Sequence, residues 1–231
     1  MIALALETSG TISSIALTRD QQLLVEESFP HGLQHAAALV PMIDSACRNL
    51  SIKPSEIEHL YLNIGPGSFT GLRVAVTLAK MLALVHGTKI VTVPSSDVLV
   101  WNAPNEALEV VTCLDAKRGH VFGARYRRDG STWINEEPAH LDRLNEILSR
   151  ASKPVHVIGE GIKAHRASID GVIWTEESTW RCRASIVAKL GAERAMRNEF
   201  ADPLILAPTY IRLPEAEEKR LIAEGKIEAP K

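Results

Sequence analysis

IALALETSGTISSIALTRD, residues 2–20, and VVTCLDAKRGHVFGARYRRD, residues 110–129, decide the fold when set side by side. In the first, an apolar run ends at Glu7, a turn of hydroxyls and glycine follows, and a second apolar run ends at Arg19-Asp20. In the second, the first run ends at Asp115, the turn is KRGH, and the next run ends at Arg128-Asp129. A short turn and a third strand-like run follow each, LLVEESF and TWINEE. Short β-prone runs bounded by Gly, Asp, Ser and Thr predict strands joined by tight turns. The two acids lie 108 residues apart and the two Arg-Asp pairs 109. Recurrence of the same order at spacings that differ by one residue predicts a duplicated half.

Helical patterns fill the space between and after these copies. Residues 33–50 place Leu33, Ala36, Val40, Ile43, Cys47 and Leu50 on one helical face, with Pro41 predicted to kink the helix or displace its boundary. HLYLNI (59–64) and KIVTV (89–93) read as strands, and LRVAVTLAKMLALVHG (72–87) as a helix stopped by Gly87. PSSDVLV starts a further helix, with Ser95 or Ser96 expected as its N-cap. In the second half, 141–151 and 185–200 read as helices, and PVHVIGEG (154–161) as a strand entering a glycine turn. Strands and helices alternating in two copies predict a two-lobed α/β protein. The expected units are 1–104, a smaller second lobe 105–213, and a charged tail 214–231, solvated or disordered unless a partner orders it.

Composition narrows the function classes. A net charge of −2 provides no overall field that recruits nucleic acid or anionic membrane. Cys47, Cys113 and Cys182 are far apart in sequence, without a CxxC pair, which argues against a disulfide framework and a structural zinc site. MIALALETSG lacks the basic start of a signal peptide. The longest apolar run, 74–85, is interrupted by Thr77 and Lys80 and is shorter than the ~20 residues a bilayer needs. A soluble cytoplasmic protein with no membrane contact is expected.

The stretch NIGPGSFTGLR, residues 63–73, resembles a nucleotide loop and fails each motif test. Gly65 and Gly71 are one residue too far apart for a P-loop, and no Lys-Ser or Lys-Thr follows. A dinucleotide fingerprint needs its third glycine at 70, and a nucleophile elbow around Ser68 needs glycine where Pro66 stands. What survives is geometry: Pro66 fixes φ, the flanking Gly65 and Gly67 can take positive φ, and Ser68 or Thr70 can cap the next helix. On that helix Arg73, Thr77 and Lys80 make one narrow polar stripe, while Ala75, Ala79 and Ala83 form a small-residue stripe. An otherwise apolar helix must be covered on most of its circumference, by helix 33–50 or by a partner's helix.

GPGSFTGLR after LNI, MIALALET at the start, LDAKRGHVFGARY in the middle and PTYIRL near the end together resemble the bacterial TsaB (YeaZ) family over nearly the whole chain. The resemblance implies an actin-like (ASKHA) fold with a reduced second lobe. It implies a non-catalytic subunit of the system that places N6-threonylcarbamoyl (t6A) on the adenosine 3′ of the anticodon in tRNAs reading A-starting codons. The implied partners are a catalytic TsaD-type paralogue, a TsaE-type ATPase subunit and, through the complex, tRNA, with a homodimer when the paralogue is absent. Two helices from each subunit are expected to pack as a bundle, here through Leu39, Met42, Ile43, Ala46, Val74, Ala75, Leu78, Ala79 and Leu82. The family loop maps to Gly65, Pro66, Gly67, Ser68, Phe69, Thr70, Gly71 and Arg73.

In active members of the wider fold both hairpin turns face the cleft and hold nucleotide phosphates, with an acid at the end of the first strand organising a metal. The matching positions, a vestigial nucleotide cleft, are Glu7, Thr8, Ser9, Asp115, Lys117, Gly159 and Gly161. No catalytic residue, metal or cofactor is expected, with residual ATP or ADP binding left open. Two rival readings are a small-molecule kinase using Glu7 and Asp115, and a metallopeptidase on His31 and His35, which are spaced like helical zinc ligands but have no Glu between them. Arg125, Arg127 and Arg128 are candidate RNA contacts without an evident aromatic platform.

Overall fold

Three antiparallel strands open the chain, β1 (Ile2–Glu7), β2 (Ile12–Arg19) and β3 (Gln22–Pro30). A two-residue turn with Asp20 and Gln21 at positive φ joins the last two, the geometry that matches strand twist. Then come α1 (His35–Asn49), β4 (Ile57–Gly65), α2 (Phe69–His86), β5 (Lys89–Pro94) and α3 (Ser95–Val100). The second half repeats the order as β6 (Glu109–Asp115), β7 (Val121–Asp129), β8 (Thr132–Asp142), α4 (Leu144–Ser149), β9 (Val155–Ile158), α5 (Ile162–His165), β10 (Val172–Trp174) and α6 (Ala184–Met196). The computed structural model describes residues 1–30 and 35–212, with positions 220 and 224. His31, the side chain of His35 and the rest of the tail from Pro214 lie outside the described residues.

The duplication is complete at the level of sheets. The strand orders β3-β2-β1-β4-β5 and β8-β7-β6-β9-β10 are the same arrangement, an antiparallel meander whose first strand pairs in parallel with a β-α-β unit. This is the two-lobed actin-like topology. The reduction of the second lobe lies in its helices: α4 has six residues and α5 four, against 15 and 18 in α1 and α2.

Side-chain alternation explains what each face of the first sheet meets. Ile2, Leu4 and Leu6 of β1 join Leu60 and Leu62 of β4 in a cluster with Leu39 and Ile43 of α1 and Ala75, Ala79 and Leu82 of α2. Ala3, Ala5 and Ala16 face the other way, and these small side chains let α6 lie close against the sheet. Gly191 of α6 rests on the Tyr61 ring, where a Cβ would come within 2.4 Å of it. A sheet buried on both faces gives strands without a polar side, as in IALALE.

Two helices join the halves. α3, encoded with the first half, lies between the sheets, against β4 and β5 on one side and β6, β7 and β8 on the other, while α6, encoded with the second half, covers β1, β2, β4 and β5. One apolar cluster therefore runs from Ala5 and Val93 through Val98, Leu99 and Val187 to Val111 and Cys113. A cut near residue 104 follows the duplication and passes through this shared cluster, while the cluster around Leu4, Leu60 and Ala79 is built almost wholly from residues of the first half.

Four expectations are corrected here. Leu39, Ile43, Ala46, Ala75, Leu78, Ala79 and Leu82 are buried in this chain's own core rather than presented to a partner, because α1, α2 and the first sheet cover one another. Val40, placed on the packed face by its spacing, is exposed, and Leu39 takes the core position. Neither Ser95 nor Ser96 is the N-cap: both lie inside α3, which Pro94 precedes, and Ser95 Oγ donates instead to Asn63 Oδ1 at 2.8 Å. Finally, α2 is, at 18 residues, long and apolar enough by composition to cross a membrane; its packing on β4, β5 and α1 buries Ala75, Leu78, Ala79 and Leu82 and leaves Met81, Leu84 and Val85 exposed.

Candidate functional site

A cleft of about 900 Å³ opens between the two hairpin turns. Ser9–Thr11 of the first turn and Asp115–Lys117 of the second line it, with Pro66–Phe69, Glu160 and the segment 209–212. The glycine loop forms part of its wall because it is docked on the first turn. Ser68 N donates to Ser9 O at 2.7 Å, and Thr8 Oγ1 donates to Gly71 O at 2.9 Å. A Cβ on Gly67 would stand 2.4 Å from Ser9 O and one on Gly71 2.1 Å from Thr8 O, so both positions require glycine for close approach. Of the flanking glycines only Gly65 takes positive φ, at 103°. Ser68 is the cap of α2, its Oγ accepting from Gly71 N.

Glu7 sits at the base of this wall and is fully buried. Ser9 N and Ser9 Oγ donate to its Oε1 at 2.7 and 2.6 Å, Asn63 Nδ2 donates to Oε2, and the Gly10 amide adds a further bond. Burial pushes its carboxyl above the ordinary value of 4.5 against the pull of those donors. Asn63 Oδ1 accepts from Gly65 N and Ser95 Oγ, which ties β1, β4, the glycine loop and α3 into one network. Cys182 Sγ lies beside it, 3.4 Å from Ser95 O. Burial raises the thiols of Cys47, Cys113 and Cys182, that of Cys113 to about 12, so none is a thiolate nucleophile at neutral pH.

On the opposite wall Asp115 is held locally, accepting from Lys117 N at 2.8 Å and Lys117 Nζ at 2.6 Å. Burial pushes its carboxyl up, but the Lys117 hydrogen bonds outweigh this and hold it below the ordinary range. Glu160 reaches across the cleft: its Oε1 accepts from Thr11 N at 3.2 Å and Thr11 Oγ1 at 2.7 Å. Segment 209–212 straps the mouth, with Thr209 N donating to Ile64 O at 2.9 Å and an Arg212 guanidinium N–H to Ala116 O at 2.7 Å. Between those anchors Tyr210 accepts from Arg73 Nε at 2.8 Å, and the Arg73 guanidinium lies 3.7 Å from the Phe69 ring centroid. GPGSFTGLR and PTYIRL, 137 residues apart at Arg73 and Tyr210, are thus one structural unit.

These residues do not fit a metal–nucleotide pair. The carboxylate that would organise a cation is enclosed by the protein's own donors, and a second carboxylate occupies the donors of the first turn. Among the described residues no group of three His, Cys, Asp or Glu side chains could hold a metal ion.

The family described as TsaD, tRNA N6-adenosine threonylcarbamoyltransferase, matches residues 32–219. The tRNA threonylcarbamoyladenosine biosynthesis protein TsaB of Bacillus subtilis is 30% identical over 95% of this chain and 97% of its own length. The chain belongs to the TsaB family, within that wider group. The Escherichia coli protein of the same name is 30% identical over 71% of this chain and 73% of its own. The fold agrees with YeaZ from Pseudomonas aeruginosa at a TM-score of 0.77, covering 90% of this chain and 99% of that one at 21% identity.

In this TsaB-family chain, Ser9, Asp115 and Lys117 do line the cleft. Glu7 and Thr8 are buried behind the turn, and Gly159 and Gly161 pack their backbones on Cys113. Glu160, Trp180, Tyr210 and Arg212 were not singled out by sequence. Glu160 stands inside the quoted GEG, but its neighbour Thr11 is 149 positions away. The three arginines proposed for RNA are engaged: Arg125 with Glu137, Arg127 with Glu136, and Arg128 with the Pro104 and Ala107 carbonyls over the Trp133 ring.

Proposed function

We propose that this chain is an accessory subunit of tRNA threonylcarbamoyladenosine synthesis without chemistry of its own. It binds a catalytic TsaD-type paralogue and holds it in a competent conformation, with a TsaE-type ATPase and tRNA joining through the complex. Family membership supports the pathway, and the enclosure of Glu7 supports a scaffold in place of a kinase. The reading needs no metal or cofactor in this chain and places it in the cytoplasm.

One observation carries the interface: the outward face of the C-terminal half of α2 remains apolar after the core is complete, with Val40 exposed on α1. Val40, Met81, Leu84 and Val85 are exposed, Leu84 at 84%. Lys80, one turn before Leu84, donates to Leu204 O at 3.4 Å, which brings Leu204 and Ile205, 82% and 81% exposed, beside the same face. Contiguous exposed apolar side chains of this kind mark interaction surfaces. A second copy of the chain occupies this face when the paralogue is absent. The test is affinity capture of tagged chain with mass spectrometry, comparing wild type with Met81→Glu and Leu84→Glu. The catalytic paralogue should be recovered with wild type and lost with each variant; equal recovery from variants that melt like wild type removes this interface.

A further inference from the structure

The first hairpin turn of the cleft already has an anion on it. Thr11 presents its amide and hydroxyl to a single oxygen, Glu160 Oε1, and that atom lies 3.2 Å from where a Gly10 Cβ would stand. Glu160 belongs to the other lobe, at the turn between β9 and α5, where Gly161 N is fixed to Cys113 O at 2.9 Å. The carboxylate is therefore delivered to the turn by a rigid piece of backbone.

We infer that Glu160 is the resident anion of the first turn: its carboxylate substitutes internally for a phosphate group, fastens one lobe to the other and closes the cleft to phosphate-bearing ligands. Two observations besides the bond lengths support this. Of the remaining charged side chains that line the cleft, Lys117 and Lys163 pair with Asp115 and Glu177, with Arg181 and Arg212 as its excess positive charge. The turn also has the chemistry of an anion site, an N–H and an O–H converging where glycine leaves room. The inference is independent of the partner reading above, since it concerns the cleft and not the face of α2.

The test is calorimetric titration of the full chain with inorganic pyrophosphate, read beside the Thr11 amide resonance in a ¹H–¹⁵N NMR spectrum. Glu160→Ala should bind pyrophosphate at least about tenfold more tightly than wild type, the scale of one charge-assisted hydrogen bond. The Thr11 resonance should shift in that variant and shift again as pyrophosphate is added. Glu160→Gln, which keeps the length and a hydrogen-bond acceptor, should fall between the two and carries the same comparison if the alanine variant fails to fold. Adding Thr11→Val to Glu160→Ala should abolish the gain. Equal pyrophosphate affinity in wild type and the Glu160 variants overturns the proposal, as does a gain that survives Thr11→Val.

Discussion

Glu7 is a buried carboxylate whose neighbours are all hydrogen-bond donors, so its two contributions oppose each other. Ser9, Gly10 and Asn63 favour the charged form, while burial disfavours it and prevails. An acid whose folded-state pKa is raised holds its proton longer in the fold than in the unfolded chain. Its contribution to stability is present below the ordinary value of 4.5 and is lost as the pH rises toward the raised one. Glu7→Gln removes this titration and opposes an amide N–H₂ to donors, at a cost of about 1–3 kcal/mol for the unsatisfied group. Urea denaturation of both proteins should give a stability gap that narrows as pH rises from about 4.5 toward neutral. A gap that widens would mean that the folded state holds Glu7 ionised. At Gly71 the expectation is steric. Gly71→Ala should cost about 1–3 kcal/mol, since a new methyl must displace the Thr8 carbonyl, and thermal melting should register it.

Among the elements, α2 separates two roles by face. Leu78 and Ala79 are buried against the first sheet, whereas Leu84 and Val85 lie in solvent. Leu78→Glu should therefore unfold or severely destabilise the chain, by about 3 kcal/mol or more for an unpaired buried charge. Leu84→Glu should leave thermal stability within about 0.5 kcal/mol of wild type. A chemical-denaturation comparison checks this, and equal losses would contradict the assigned face. The distinction bears on how association is tested: a variant at Leu78 or Ala79 fails to capture a partner because it fails to fold. The glycine loop acts at this scale as well. It sets the start of α2 and, through Phe69, Arg73 and Tyr210, anchors the strap across the cleft.

The whole molecule is joined by α3 and α6, which pass between the sheets. Arg194 of α6 donates to Thr92 O and Asp97 Oδ2, both at 2.7 Å. Asp97 Oδ1 in turn accepts from Tyr126 OH at 2.7 Å. This chain of bonds links the first sheet, both crossing helices and the second sheet within the shared apolar cluster. Arg194→Ala should cost about 2 kcal/mol, as expected for losing a half-buried charge-assisted hydrogen bond, measured by urea unfolding. The loss should appear in probes placed in either lobe. A transition that splits into two would show the lobes to be independent. How much of this was legible in sequence follows from the range of each interaction. The strands of the two meanders, their duplicated turns, the Gly87 stop and the Ser68 cap, one of two candidates, depend on residues within a few positions, and they read correctly from the chain. IALALE also records, as alternating large and small side chains, that its sheet has two differently packed faces. Tertiary packing alone decided that α3 lies between the two sheets and α6 covers the first one, that the apparent interface residues of α1 and α2 are core, and that Glu160 rests on Thr11. Each of these joins segments distant in sequence by burial or by a single hydrogen bond, and neither leaves a local pattern from which the partner can be read.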